Sequence, residues 1–136
     1  MRAELLHTMI RVTDLERSVR FYTEVLGLRE QRRKVLEKAA ATLVFLTDET
    51  GAHAIELTYN HDGRGYELGT QFGHFALRVP DLDAARAELS GHGVEFTRGP
   101  YTVSAGGNRL AFITDPDGIE LELIERAPVD DRGQEG

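Results

Sequence analysis

Hydrophobic and polar residues alternate along two short stretches of the chain, residues 5–12 and 72–79. A period of two is typical of a β-strand with one buried face, so both stretches are predicted strands. Each precedes an amphipathic segment with a helical period; Leu15, Val19 and Tyr22 share one stripe of the first. Further extended runs follow each helix, near 28–36, 40–47 and 53–60, and then near 93–98, 108–114 and 119–125.

Capping residues mark where the helices begin and end. Thr13 and Glu16 are predicted to form a capping box ahead of the first helix, and Gly27 is predicted to end it. Asp81 is the predicted N-cap of the second helix. Residues 115–118, Asp-Pro-Asp-Gly, predict a turn between the last two strands.

The two halves of the chain are copies of one module. Residues 7–15 and 74–82 are identical at five of nine positions, and so are residues 43–51 and 110–118. Average composition predicts roughly one identity by chance over these positions. The repeat therefore indicates an ancestral duplication of a strand–helix–three-strand unit.

This order of elements predicts an α+β fold. Two tandem βαβββ modules, about residues 5–62 and 70–126, are expected to form a curved mixed sheet with the helices on its outer face. Together they are predicted to make one domain of residues 1–126. Residues 127–136 consist mainly of polar residues, Pro and Gly and are predicted to be a disordered tail.

Composition excludes several classes of function. The 136 residues include no cysteine, which rules out disulfides and thiolate metal sites. No apolar run is long enough to span a membrane. A net charge of −7 argues against nucleic acid or an anionic membrane surface as a partner. We therefore expect an acidic, globular, cytoplasmic protein.

Strand alternation places one histidine and one glutamate of each copy on the face away from the helices. These are His7 and Glu56 in the first copy and His74 and Glu122 in the second. Imidazole and carboxylate together suit a divalent first-row metal ion. A single strand histidine is more often structural, but both residue types recur here. A metal site and an ordinary polar surface both remain open on the pattern alone.

At these residues the sequence resembles the glyoxalase I (lactoylglutathione lyase) family of the vicinal oxygen chelate superfamily. The most specific part of the resemblance is the stretch from Glu56 through Asn60 to Gly73-His74. In all, the resemblance covers nearly the whole of residues 5–125, with matches at 5–15, 55–60, 66–76, 111–112, 115–118 and 121–125.

The resemblance implies a metal-dependent enzyme. By that similarity His7, Glu56, His74 and Glu122 correspond to the ligands of one divalent ion per site. Compact family members imply Ni²⁺, with Co²⁺ or Zn²⁺ as alternatives. Glu122 corresponds to the catalytic base, and Glu56 is expected to assist it.

The implied reaction converts the hemithioacetal of methylglyoxal and glutathione into S-lactoylglutathione by enediolate proton transfer, a detoxification of methylglyoxal. Arg11 and Asn60 match residues that bind the glutathione peptide. The family also implies a homodimer with shared active sites, in which ligands from two chains complete each site.

One loop departs from the family. Residues 101–109 contain no lysine where relatives often carry one, and Arg109 is the only cation that could replace it. The alternatives are therefore a related lyase or isomerase that uses a different thiol or an acyl-thioester, and a non-catalytic drug-sequestering binding protein. The four candidate ligands argue against the last, because bleomycin-resistance members of this fold lack them.

Overall fold

The first half of the chain folds around a four-stranded mixed sheet. A computed structural model describes residues 1–126, which divide into two units with the boundary between Glu67 and Leu68. The sheet of the first unit has the order β1-β4-β3-β2, with β1 parallel to β4 and the other pairs antiparallel. Its elements are β1 (His7–Arg11), α1 (Leu15–Arg20), one π-helical turn (Phe21–Val25), β2 (Arg29–Leu36), β3 (Ala41–Thr47) and β4 (Ala54–Asn60).

The second half repeats this topology. Its sheet has the order β5-β8-β7-β6, again with the first pair parallel and the others antiparallel. The α+β prediction and the βαβββ order of both modules are therefore confirmed. The elements are β5 (His74–Val79), α2 (Leu82–Gly91), β6 (Arg98–Tyr101), β7 (Leu110–Thr114) and β8 (Glu120–Glu125).

Each unit has its own apolar core between helix and sheet. In the first, Val12, Tyr22 and Leu57 are inaccessible to solvent or nearly so. In the second, the fully buried residues include Leu82 and Leu121. This burial fixes the register, because a shift by one residue would turn these side chains toward solvent and their polar neighbours inward.

The start of α1 differs from its prediction. Asp14 is the N-cap, since its carboxylate accepts a hydrogen bond from the Arg17 backbone N–H at 3.1 Å. The prediction of Thr13 as the capping residue is therefore wrong by one position; the Thr13 hydroxyl accepts a hydrogen bond from the Arg17 side chain. A carboxylate placed one residue later reaches the first free amides of this helix. The predicted cap Asp81 is confirmed.

One predicted strand is also displaced. The run near 93–98 was expected to be extended, but β6 begins only at Arg98. The residues before it close the helix, since the Val94 N–H donates to the Leu89 carbonyl. The predicted turn at 115–118 is confirmed: the Gly118 N–H donates to the Asp115 carbonyl at 3.0 Å. The predicted tail, 127–136, lies outside the described residues. Within residues 1–126 no helix is long and apolar enough to cross a membrane.

Candidate metal centre

The parallel pairing of β1 and β4 brings His7 and Glu56 together. Strand alternation points Ile10 into the core and leaves His7 on the opposite face. The His7 Nε2 lies 3.2 Å from the Glu56 Oε1, and their side chains are 39% and 11% exposed. The Phe45 ring meets the His7 ring edge-on at 5.4 Å. The imidazole therefore has a buried aromatic ring on one side and solvent on another.

The second unit builds the same pair on β5 and β8. The His74 Nε2 lies 3.5 Å from the Glu122 Oε1, and these side chains are 38% and 16% exposed. The Phe112 ring meets the His74 ring edge-on at 5.3 Å. The sequence repeat thus places the same two candidate ligands on equivalent strands of the two units.

Each pair has a spacing that suits two ligands of one metal ion. Metal–nitrogen and metal–oxygen bonds to imidazole and carboxylate are about 2.0–2.2 Å long. Two such ligands at an angle between 90° and 110° are therefore roughly 3.0–3.5 Å apart. The observed distances of 3.2 and 3.5 Å agree with this. Within residues 1–126 no group of three or more candidate ligands clusters, so the structure brings together the two members of each pair but no larger set of the predicted ligands.

The two carboxylates have different neighbours. The Thr58 hydroxyl donates to the Glu56 Oε2 at 2.6 Å, and both residues are buried. Thr58 pairs in register with Arg11, whereas the corresponding partner of Arg78 in the second unit is Ile124. Isoleucine has no hydroxyl to donate. Among the described residues, therefore, the Glu56 carboxylate contacts a hydroxyl donor in addition to His7, whereas the Glu122 carboxylate contacts only His74.

The two predicted substrate-binding residues lie at the far end of this sheet face. Arg11 is the last residue of β1 and is exposed, and among the described residues it makes no ion pair. The Asn60 Nδ2 donates to the Tyr66 hydroxyl at 2.7 Å. No hydrogen bond joins Arg11 and Asn60 within the part of the chain that the structure covers.

The structure excludes Arg109 as a free cation for an anionic ligand. Its guanidinium donates to both carboxylate oxygens of Glu125, at 3.1 and 2.9 Å, and lies 3.4 Å from Asp83. Glu125 also accepts from the Leu82 N–H at the start of α2. These contacts hold the pKa of the Glu125 carboxyl below its ordinary value. Arg109 thus fastens β8 to the helix.

Sequence reasoning did not assign roles to Phe45, Phe112 or the Thr58 hydroxyl. A signal for the two rings was present, since both phenylalanines are identical positions of the repeat. The hydroxyl had no such signal, because its counterpart in the second copy is Ile124.

Comparison with known proteins identifies the family. The family model of the Glyoxalase/Bleomycin resistance protein/Dioxygenase superfamily matches residues 4–123. The chain belongs to that superfamily, and its resemblance to glyoxalase I is confirmed.

Similar proteins include lactoylglutathione lyases from bacteria and plants. The chain is 44% identical to a Haemophilus influenzae lactoylglutathione lyase, covering 90% of this chain and 92% of that one. It is 40% identical to an Arabidopsis thaliana lactoylglutathione lyase, covering 90% of this chain and 44% of that one. The crystal structure of Zea mays glyoxalase I superposes with a TM-score of 0.84 at 38% identity, over 93% and 46% of the two chains. The chain thus spans about half the length of these plant relatives.

Proposed function

We propose that this protein isomerises the hemithioacetal of methylglyoxal and glutathione to S-lactoylglutathione, with one divalent metal ion per site. The observation that carries the proposal is the recurrence of a close His–Glu pair at equivalent positions of both units, at 3.2 and 3.5 Å. The similar proteins that carry the name lactoylglutathione lyase give the reaction its substrate.

We assign the metal to His7, Glu56, His74 and Glu122. The donor set and the spacing of each pair support this assignment. When bound, the ion would act as a Lewis acid that lowers the cost of removing a carbon-bound proton from the substrate. The partly exposed imidazoles leave an open side where the substrate can approach.

Glu122 is the proposed base. It takes the proton from the carbon that carries the sulfur and returns it to the neighbouring carbonyl carbon. The hydroxyl proton passes between the two substrate oxygens, so the hydroxyl carbon becomes the thioester carbonyl and the former carbonyl becomes the product's hydroxyl. The freedom of its oxygens supports this role, since no hydroxyl in residues 1–126 donates to Glu122. Glu56 has one oxygen occupied by the Thr58 hydroxyl, which suits a fixed ligand with an assisting role.

Arg11 and Asn60 are the proposed contacts to the thiol's peptide. Both extend from the sheet face that carries His7. Nickel as the ion, a homodimer whose chains share active sites, and a cytoplasmic location belong to the same proposal. They rest on the resemblance to compact family members.

The first experiment measures thioester formation from the hemithioacetal with metal-stripped protein reloaded with Ni²⁺, Co²⁺ or Zn²⁺. We expect turnover in the wild type and a loss of roughly 10²–10⁴ in kcat for Glu122→Gln, as expected for a general base. The matched control is Glu88→Gln, the same change at an exposed glutamate of α2, which should stay within a few-fold of the wild type.

Metal content must be measured in each variant, because glutamine is also a weaker ligand than glutamate. Undiminished turnover by metal-loaded Glu122→Gln would refute the assigned base. Metal bound without wild-type turnover would move the substrate to another thiol or to another reaction of the superfamily.

A further inference from the structure

In each unit an arginine lies over the ring of a phenylalanine, and that ring meets the site histidine edge-on. In the first, the Arg32 guanidinium carbon lies 4.0 Å from the centre of the Phe45 ring, which contacts His7. In the second, Arg98 lies 3.8 Å from the ring of Phe112, which contacts His74. Register explains this arrangement, because each arginine is paired directly with its phenylalanine across two antiparallel strands.

The two arginines differ in charge compensation. Arg98 makes an ion pair with Glu120 at 3.0 Å. Glu120 pairs in register with His74, and the residue in the same position opposite His7 is Ala54. Alanine offers no carboxylate. Arg32 accordingly has no ion pair among residues 1–126, although it makes the same ring contact as Arg98.

The next arginine of β2 differs from Arg32 in charge compensation. Arg33 is the next residue on β2 and points to the opposite side, where it contacts Glu16 at 2.6 Å and Glu30 at 2.8 Å. These carboxylates raise the pKa of the Arg33 guanidinium. Of these two neighbours on β2, therefore, Arg33 on the helix side is paired with carboxylates, whereas Arg32 on the side of His7 has no such partner in the described part of the chain.

Such an arginine is well prepared to bind a carboxylate. Stacking on an aromatic ring fixes the guanidinium plane while its N–H edges stay available. These edges match the two oxygens of a carboxylate in a bidentate contact. Ring contacts of 4.0 and 5.4 Å separate the guanidinium from His7. An extended tripeptide spans roughly 10 Å, enough to reach from one to the other.

We propose that Arg32 binds a carboxylate of the substrate's thiol moiety and so selects an anionic thiol. The inference rests on the proposed function and deepens it: Arg109 is occupied elsewhere, and Arg32 supplies a free cation beside the site. The second unit, in which Glu120 neutralises Arg98, would lack this property.

The test measures binding of S-methylglutathione to the metal-loaded protein by calorimetry, together with KM and kcat for the hemithioacetal. Arg32→Gln should raise the Kd and KM about tenfold, the value of one charge-assisted contact, and change kcat less than twofold. Arg32→Lys should recover part of the loss, since it keeps the charge without the bidentate geometry. Arg33→Gln removes the same charge from the other side of β2 and should leave Kd and KM unchanged.

Adding a carboxylate near Arg32 tests the same proposal by neutralising the arginine instead of removing it. Ala54→Glu would place a carboxylate where the second unit has Glu120, and should weaken S-methylglutathione binding by a similar factor. Ala54→Gln is the uncharged control of the same size and should bind within twofold of the wild type. Equal metal content in all variants, checked by elemental analysis, excludes an effect on the ion.

The outcomes distinguish the role of Arg32 from the proposed function. If the wild type binds S-methylglutathione and Arg32→Gln binds it equally well, the role of Arg32 is refuted while the proposed function stands. If the wild type neither binds this ligand nor turns over the hemithioacetal, glutathione is the wrong thiol, and both the proposed substrate and the selection by Arg32 are refuted.

Discussion

Replacing Thr58 with valine would remove the hydroxyl that donates to the Glu56 Oε2 at 2.6 Å. Valine keeps the branched shape of threonine, so the change opens no cavity in the sheet. Thr58 is 7% exposed and Glu56 is 9% exposed, which leaves little room for water to replace the lost donor. The variant also makes the first unit resemble the second, where Ile124 occupies this position.

A hydrogen bond to a charged group contributes about 1.5–3 kcal/mol to stability. The higher β-propensity of valine offsets a few tenths of this. We therefore expect the free energy of unfolding of the metal-free protein to fall by about 1–2.5 kcal/mol. Because the hydroxyl also orients a proposed ligand, metal affinity should fall roughly 10- to 100-fold, as for other residues that support a metal ligand.

Urea unfolding gives the first quantity, and competition with a chelator of known affinity gives the second. Thr58→Ser is the matched control, since it keeps the donor and loses only a methyl group. If Thr58→Val matched Thr58→Ser in both stability and metal affinity, the hydrogen bond would contribute nothing and the assignment of Glu56 as the fixed ligand would lose its support.

Two further predictions concern the fold. Leu57 is fully buried in β4, so Leu57→Ala should lower the free energy of unfolding by about 2–5 kcal/mol in urea titrations, and a loss below about 1 kcal/mol would contradict the described core. Arg109 lowers the pKa of Glu125 from its ordinary 4.5, so this ion pair should stabilise the protein above pH 4.5 and lose its effect as the pH falls through the native pKa. Glu125→Gln should thus be less stable than the wild type at pH 7, with the difference shrinking in acid; a constant difference would refute the linkage.

Several features of the fold could be predicted from the sequence because they depend on local periodicity and on the repeat. Alternation along residues 5–12 assigned Ile10 to the core and His7 to the open face, and burial confirms this. The turn at 115–118 followed from its residue types. The start of α1 was misplaced by one residue, because Thr13 and Asp14 are both good N-caps and only the backbone geometry selects between them.

By itself the sequence determined the α+β class, the duplicated βαβββ order and the placement of each His–Glu pair on one sheet face. These follow from the period of two residues in the strands, the period of 3.6 residues in the helices, and the separation of 67 residues between the repeated segments. Only the tertiary structure decided which polar side chains meet. It joined Arg109 to Glu125 and gave Glu56 a hydroxyl donor. It also placed Arg32 over the Phe45 ring, where no carboxylate of residues 1–126 pairs with it. Such contacts depend on the register between strands distant in sequence, and periodicity within a single strand carries no information about that register.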